Sequence, residues 1–301
     1  MPVKSGKYGS DVNIILVGQE DIIESELAKY SLHSKISVLH APEVITPDEV
    51  PTSAIRQKKD SSLVVGLKAV KEGQASGFVS AGSTGALLTG ATVIVGRKKG
   101  IERPALGAAI PTQKGFTLLI DSGANMDCKP SYLTQFGQMG AEYVEKALGI
   151  KNPKVGLINV GTEDEKGNAA VKEAFGLLSE SGVNFVGNVE ARDIPAGVID
   201  VAVCDGFVGN IVLKFMEGLA KSMMGTIKEE LMGSVISKFG ALLARGAFKK
   251  VKKRFDYREV GGAPFLGLKS LVVKAHGSSD AYAMKNAIIK CIEFEMRSND
   301  S

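Results

Sequence analysis

Short runs of uninterrupted apolar residues recur along this chain, most followed by a stretch of helical periodicity, and that alternation restricts the fold more than any other feature. The runs lie at residues 11–17 (DVNIILV), 35–40 (KISVLH), 77–81 (GFVSA), 117–121 (TLLID), 154–160 (KVGLINV), 184–189 and 198–205 (VIDVAVCD). Helical periodicity occupies 61–72, 137–148 and 169–181, among others. Strands that are apolar on both faces must be covered on both faces, and parallel neighbours need a crossover helix. The pattern predicts a doubly wound, three-layer α/β/α fold around a mostly parallel sheet.

Five of these runs end in small and polar residues: Ser80 to Gly85, Asp121 to Asn125, Asn159 to Asp164, Gly187 to Asp193, and Asp205 to Asn210. Ligands of open parallel sheets bind outside the carboxyl ends of strands, so these endings are expected to line one crevice. Tight β-to-α turns demand the same residue types, and for any single turn that reading stands equally. No strand is followed by G-x-G-x-x-G, and no G-x-x-x-x-G-K-[ST] occurs. A nucleotide enzyme is therefore disfavoured.

A sixth ending lies near the carboxyl terminus. Leu271-Val272-Val273 reads as a buried strand running into Lys274, His276, Gly277, Ser278 and Ser279 before a helical pattern. A strand that opens into a helix start offers outward backbone N–H groups and a positive dipole end, and Lys274 adds a full charge. The expected ligand is phosphate. The same residues also read as an N-cap, with Ser278 or Ser279 closing the helix.

With 44% hydrophobic and 23% charged residues, the chain has an ordinary globular composition and enough apolar material for a sizeable core. Cys128, Cys204 and Cys291 are widely spaced, without a metal-ligand or disulfide pattern, which points to a reducing compartment. No apolar run is long enough to span a bilayer, and the amino terminus lacks a secretory core, so a cytoplasmic location is expected. No group of aspartates is spaced to hold a divalent ion.

The segments SAGSTGALLTGA (from Ser80), ERPALGAAIPT (from Glu102), LIDSGANMDCKP (from Leu119), VGLINVGTEDEKGN (from Val155), FVGNVEARD (from Phe185), CDGFVGNIVLK (from Cys204) and GGAPFLGLK with KAHGSSD (from Gly261 and Lys274) closely resemble the bacterial phosphate acyltransferases of the PlsX family. The likeness runs in order from about Asp11 to about Ala287. It implies an isocitrate/isopropylmalate-dehydrogenase-like fold in one domain, residues 1–301, and a cytoplasmic, membrane-associated homodimer. It also implies transfer of a fatty acyl group from acyl carrier protein to inorganic phosphate, giving acyl phosphate for a membrane glycerol-phosphate acyltransferase in phospholipid synthesis. No metal or organic cofactor is implied. Family members open with a strand and an Asp-Ala-Met-Gly-Gly-Asp turn that this sequence lacks, so the chain reads as starting late, and Ser83 stands where the family usually has Asn.

The chemistry requires an oriented phosphate, stabilisation of an oxyanion and a thiolate able to leave. Lys274 and the backbone at Ser83, Thr84 and Gly85 and at Gly277, Ser278 and Ser279 are candidates for the first two. His276, and after it Asp205, are candidates for proton transfer, while Asn125, Asn188 and Asn210 are candidate donors to phosphate or carbonyl oxygen. A covalent route through Cys128 or Cys204 is the alternative to direct attack by phosphate.

Residues 221–256 read as a helical membrane- or dimer-contact arm, basic and amphipathic between Glu230 and Asp256, where no acidic residue occurs. Met232, Val235, Ile236, Phe239, Leu242 and Leu243 recur at helical spacing, with Lys249, Lys250, Lys252 and Lys253 following. The composition suits the headgroup layer of an anionic membrane or a dimerising hairpin, with Gly240 and Gly246 as expected breaks. Isolated phenylalanines argue against a nucleic-acid surface. Arg56, Lys58 and Lys59, and Arg97, Lys98 and Lys99, are smaller basic clusters that suit an acidic carrier. Two other functions fit the sequence: a short-chain phosphate acetyl- or butyryltransferase using coenzyme A, and a truncated, non-catalytic membrane-surface protein.

Overall fold

The computed structural model describes residues 12–31, 34–254, 259 and 261–299, without the side chains of 252–254 and 297–299. Lys7 to Asp11, expected to end a helix and begin a strand, lie outside the described residues, as do the side chains of Lys252 and Lys253. In chain order the elements are β1 (Ile14–Gly18), α1 (Glu20–Leu27), β2 (Ile36–His40), α2 (Pro51–Gln57), α3 (Ser62–Lys71), β3 (Gly77–Ser80) and α4 (Thr84–Gly90), which continues as a π turn, Ala91–Val95. Then come β4 (Ala105–Thr112), β5 (Gly115–Ile120), α5 (Pro130–Leu148), β6 (Val155–Asn159), α6 (Ala169–Ser179), β7 (Phe185–Glu190), a 3₁₀ turn (Ala191–Ala196) and β8 (Val201–Val203). Helices α7 (Gly206–Met232), α8 (Val235–Leu243) and α9 (Arg245–Arg254) precede β9 (Ala263–Leu266), β10 (Leu271–Lys274) and α10 (Ala281–Asn299).

The chain forms two compact units. The first comprises Met1–Leu106, Lys146–Leu148 and Gly261–Ser301, the second Gly107–Glu145 and Gly149–Val260. In the first, β10 pairs in parallel with β3 and antiparallel with β9, and β9 pairs with Ala105 and Leu106 of β4. Strands β1 and β2 form a separate parallel pair. Ser61 caps α3 through Val64 N–H, and Leu63, Val64, Leu67 and Val70 face the core.

In the second unit the strand order is β4, β5, β8, β6, β7, parallel except at the β4–β5 hairpin. Leu118, Leu119, Ile120, Val155, Leu157 and Val201 to Val203 are buried almost completely. Each fully buried aliphatic side chain contributes about 1.5–3 kcal/mol, so these central strands carry much of the unit's stability. Pro130 starts α5 at a position where its missing N–H costs nothing, and Asn168 caps α6.

The expected mostly parallel α/β architecture is present, with two differences in detail. Strands β4 and β9 are antiparallel additions that the sequence pattern does not reveal, because Pro104, Gly107, Pro111 and Pro264 make those segments read as loop. In the basic stretch, α8 runs through Gly240, and Gly246 lies in the first turn of α9; the breaks fall at Gly233-Ser234 and Ala244. Ser234 caps α8 through Ser237 N–H, and a local hydrogen bond of that kind decides a helix start where one glycine does not.

Candidate active site

In the first unit, β3 and β10 lie in register with Lys274 opposite Ser80, and Ala275 N–H donates to Ser80 O at 2.9 Å. Two of the predicted segments therefore emerge side by side. Lys274 Nζ donates to Ala81 O at 3.4 Å and also to Ala275 O, so one cation ties both strand ends. Ser83 Oγ accepts from Ala86 N–H and caps α4, whose first turn holds Thr84 and Gly85.

Beyond Lys274, the turn folds around His276. Its Nδ1 accepts the backbone N–H of Ser278 at 3.2 Å and lies 2.8 Å from Ser278 Oγ, while Ser279 N–H donates to His276 O. The cap of the following helix is Asp280, which accepts from Ala283 N–H at 2.8 Å, and not Ser278 or Ser279. A carboxylate accepts this bond more strongly than a hydroxyl does, and the helix starts three residues after Ser278. Because Nδ1 faces a backbone donor, neutral His276 carries its proton on Nε2, a tautomer assigned from hydrogen-bond geometry.

In the second unit, Asp121 is fully buried at the end of β5. Its Oδ1 accepts from Gly123 N–H and Ala124 N–H, and its Oδ2 from both Asn125 N–H and Asn125 Nδ2. Asn125 O in turn accepts Gly206 N–H at 2.7 Å, so the start of α7 is fastened to this turn. Asp205 caps α7 by accepting Val208 N–H at 2.7 Å. The fit leaves no room for side chains: a Cβ on Gly206 would sit 2.6 Å from Asn125 O, and one on Gly209 would sit 1.9 Å from Asp121 O. Exposed Asn210 lies over Gly123.

Asn159 and Asn188, at the ends of neighbouring β6 and β7, hold the acidic loop between them. Asn159 Nδ2 donates to Lys166 O, and Asn188 Nδ2 donates to Glu163 O at 2.8 Å. Asn188 is 6% exposed, and its Oδ1 is buried without a hydrogen-bond partner. Asp121 and Asn159 appear in the sequence reading only within strand endings and not as individual candidates; the available signal was an acid or amide at or just after a strand end with glycine two residues on.

The cysteines do not have nucleophile environments. Burial, reinforced by the carboxylates of Asp121 and Asp205, pushes the Cys128 thiol up to about 12. The same causes push Cys204 well above its ordinary range, and burial raises Cys291 to about 12. These groups stay thiols at neutral pH, and the covalent route loses its nucleophile. Among the described residues no group of three or more His, Cys, Asp or Glu is placed to hold a metal ion.

Along α7, Ile211, Phe215, Leu219, Met223 and Ile227 recur every fourth residue and are exposed. On α8, Val235 is 82% and Ile236 86% exposed, and Phe239, Leu242 and Leu243 are exposed as well, with Lys249 and Lys250 exposed on α9. No described helix is long and apolar enough to cross a membrane.

Residues 3–299 match the family described as fatty acid synthesis protein. A phosphate acyltransferase from Alkaliphilus oremlandii is 53% identical over 94% of this chain and 85% of its own length. The chain belongs to the PlsX family of phosphate acyltransferases. A phosphate acyltransferase from Clostridium novyi is 52% identical over 97% of this chain and 88% of its own length. The chain is therefore an enzyme of the acyltransferase class that transfers an acyl group to phosphate in fatty acid and phospholipid synthesis. Among solved structures, a phosphotransacetylase from Streptococcus pyogenes is 17% identical, covers 95% of this chain and 94% of its own, and superposes with a TM-score of 0.58. A 4-hydroxythreonine-4-phosphate dehydrogenase from Klebsiella pneumoniae is 12% identical over 95% and 91%, with a TM-score of 0.56. Those two likenesses establish the shared dehydrogenase-like fold.

Proposed function

We propose that the acyl donor is the thioester of an acyl carrier protein, and that inorganic phosphate attacks it directly with residues 1–301 acting as one catalytic domain. The observation that carries this reading is Lys274, a cation held at the junction of two strand ends beside an imidazole of fixed tautomer. Phosphate oxygens are held by Lys274 Nζ and by the hydroxyls of Ser83, Thr84, Ser278 and Ser279, with Gly85 giving close backbone approach. One phosphate oxygen forms a bond to the thioester carbonyl carbon, the carbonyl oxygen becomes an oxyanion, and the C–S bond then breaks. His276 Nε2–H serves as donor to the oxyanion or to the departing thiolate.

In the second unit, Asp205, Asn125 and Asn188 keep their turns in shape, and exposed Asn210 is left as a candidate hydrogen-bond donor. The exposed apolar face of α8 with Lys249 and Lys250 supports peripheral contact with an anionic membrane, to which Lys252 and Lys253 add charge. The α7 stripe supports a homodimer, with ridges at four-residue spacing suited to a second helix. The protein then works in the cytoplasm, without a cofactor, and hands acyl phosphate to a membrane glycerol-phosphate acyltransferase.

The test is acyl phosphate formation from the same long-chain acyl group on carrier protein and on coenzyme A. A KM about tenfold lower for the carrier is expected from recognition of its surface. Preference for acetyl-coenzyme A would move the protein to the short-chain class.

A further inference from the structure

We infer that Met126, Val160 and Phe207 form the subsite that receives the substrate's acyl chain next to the thioester. Met126 and Val160 lie in the turns that follow β5 and β6, and Phe207 lies in the first turn of α7, which follows β8; the three strands are neighbours in the order β5, β8, β6. Met126 is 48%, Phe207 60% and Val160 79% exposed. The turns around them are otherwise small and polar, and the apolar residues just upstream, Ile120, Ile158 and Val203, are buried. Met126 and Val160 are thus left in solvent within their turns, and Phe207 at a helix start, all at the carboxyl ends of the strands, where α/β folds bind ligands.

The three are held close by backbone geometry. Gly206 N–H to Asn125 O makes Met126 and Phe207 neighbours across that bond. Pairing of Leu157 with Val203 carries Asn159-Val160 to the level of Asp205-Gly206. With strands about 4.8 Å apart, the row spans about 10 Å. A row one side chain wide, flanked by Asn125, Asp205 and Gly161, matches a thin unbranched alkyl chain. Phe207 stands one turn before Ile211 and so heads the exposed stripe on α7, whose five further residues, to Ile227, match a helix. The inference rests on acyl transfer to phosphate and on chemistry at the strand ends, but not on the identity of the carrier.

The test is the chain-length profile of Phe207→Ser, Met126→Ser and Val160→Thr with butyryl, octanoyl and palmitoyl thioesters, each on carrier protein and on coenzyme A. Wild-type carrier preference reports the carrier reading separately, and variant profiles report the subsite on whichever thioester is used. The expected result is a fall in kcat/KM of about tenfold for octanoyl and palmitoyl substrates and under about twofold for butyryl. Phe116→Ser, exposed at the opposite end of β5, is expected to leave the profile unchanged. Val160 is the most exposed of the three, so its variant keeps the test available if Phe207→Ser does not fold. Equal loss at all chain lengths, an unchanged profile, the same shift in Phe116→Ser, or conversion of a dimer to a monomer by Phe207→Ser would each overturn the assignment.

Discussion

The strand-end turns of the two compact units are written in similar residues and do different physical work. In the second unit, Asp121 accepts from three backbone N–H groups and one amide, and Asp205 is a helix cap, so both carboxylates are committed to holding backbone. In the first, Lys274 and the His276 imidazole are half-buried, and their contacts run to carbonyls and to a turn they share. A carboxylate surrounded by donors is a brace, and replacing it removes backbone support. On the proposed function the half-buried Lys274 is a binding group, and replacing it removes affinity. Similar composition therefore does not mean similar function.

The contrast is broken most directly at Asp121. Asp121→Ala leaves several buried N–H groups unpaired and is expected to lose about 3 kcal/mol or more of stability, measured by urea unfolding of soluble protein. An unchanged midpoint would show that the turn is not a brace. Lys274→Met is expected to fold normally and to raise the KM for phosphate on the order of 30-fold, far more than the KM for the acyl donor. The reverse pattern in steady-state kinetics would reassign this lysine to the thioester.

A smaller effect sharpens the description of the Asp121 surroundings. Cys128 and Cys291 sit at about 12 in the folded protein, above the ordinary thiol value of 9.0. A folded-state value raised in this way favours the folded protein below about 9, and the advantage is lost as pH rises from about 9 to about 12. Stability measured across that window should therefore fall, and Cys128→Ser should make the fall shallower. Rapid alkylation of Cys128 in folded protein at pH about 8 would contradict it. Smallest in its consequence for either unit is Lys249→Glu with Lys250→Glu. Each cation near an anionic surface is worth about 1 kcal/mol, so vesicle sedimentation should weaken at least about tenfold with an unchanged thermal midpoint.

The sheet was legible because buried parallel strands such as Leu118 to Ile120 and Val201 to Val203 must be continuously apolar. The antiparallel strands were hidden because β4 and β9 contain Pro111 and Pro264, and their pairing depends on distant partners that local pattern does not specify. Within the candidate turns, residue type alone does not assign roles, because competition among hydrogen bonds decides them. Asp280 outcompetes Ser278 for the helix cap, and Ser278 is left to orient His276. Asn188 stands at the expected strand end, yet its amide reaches the Glu163 carbonyl across a loop whose path no spacing rule encodes.

Helix α7, 27 residues and so about 40 Å long, begins in full contact with the Asp121 turn through Gly206 and Gly209. Val208, Val212, Leu213 and Met216 pack against the core, so the helix is held over about its first three turns, and α8 and α9 follow its far end. The exposed apolar face of α8 is thus set apart from the polar turn by a length of helix, Glu217 to Met232, that lies beyond the packed segment.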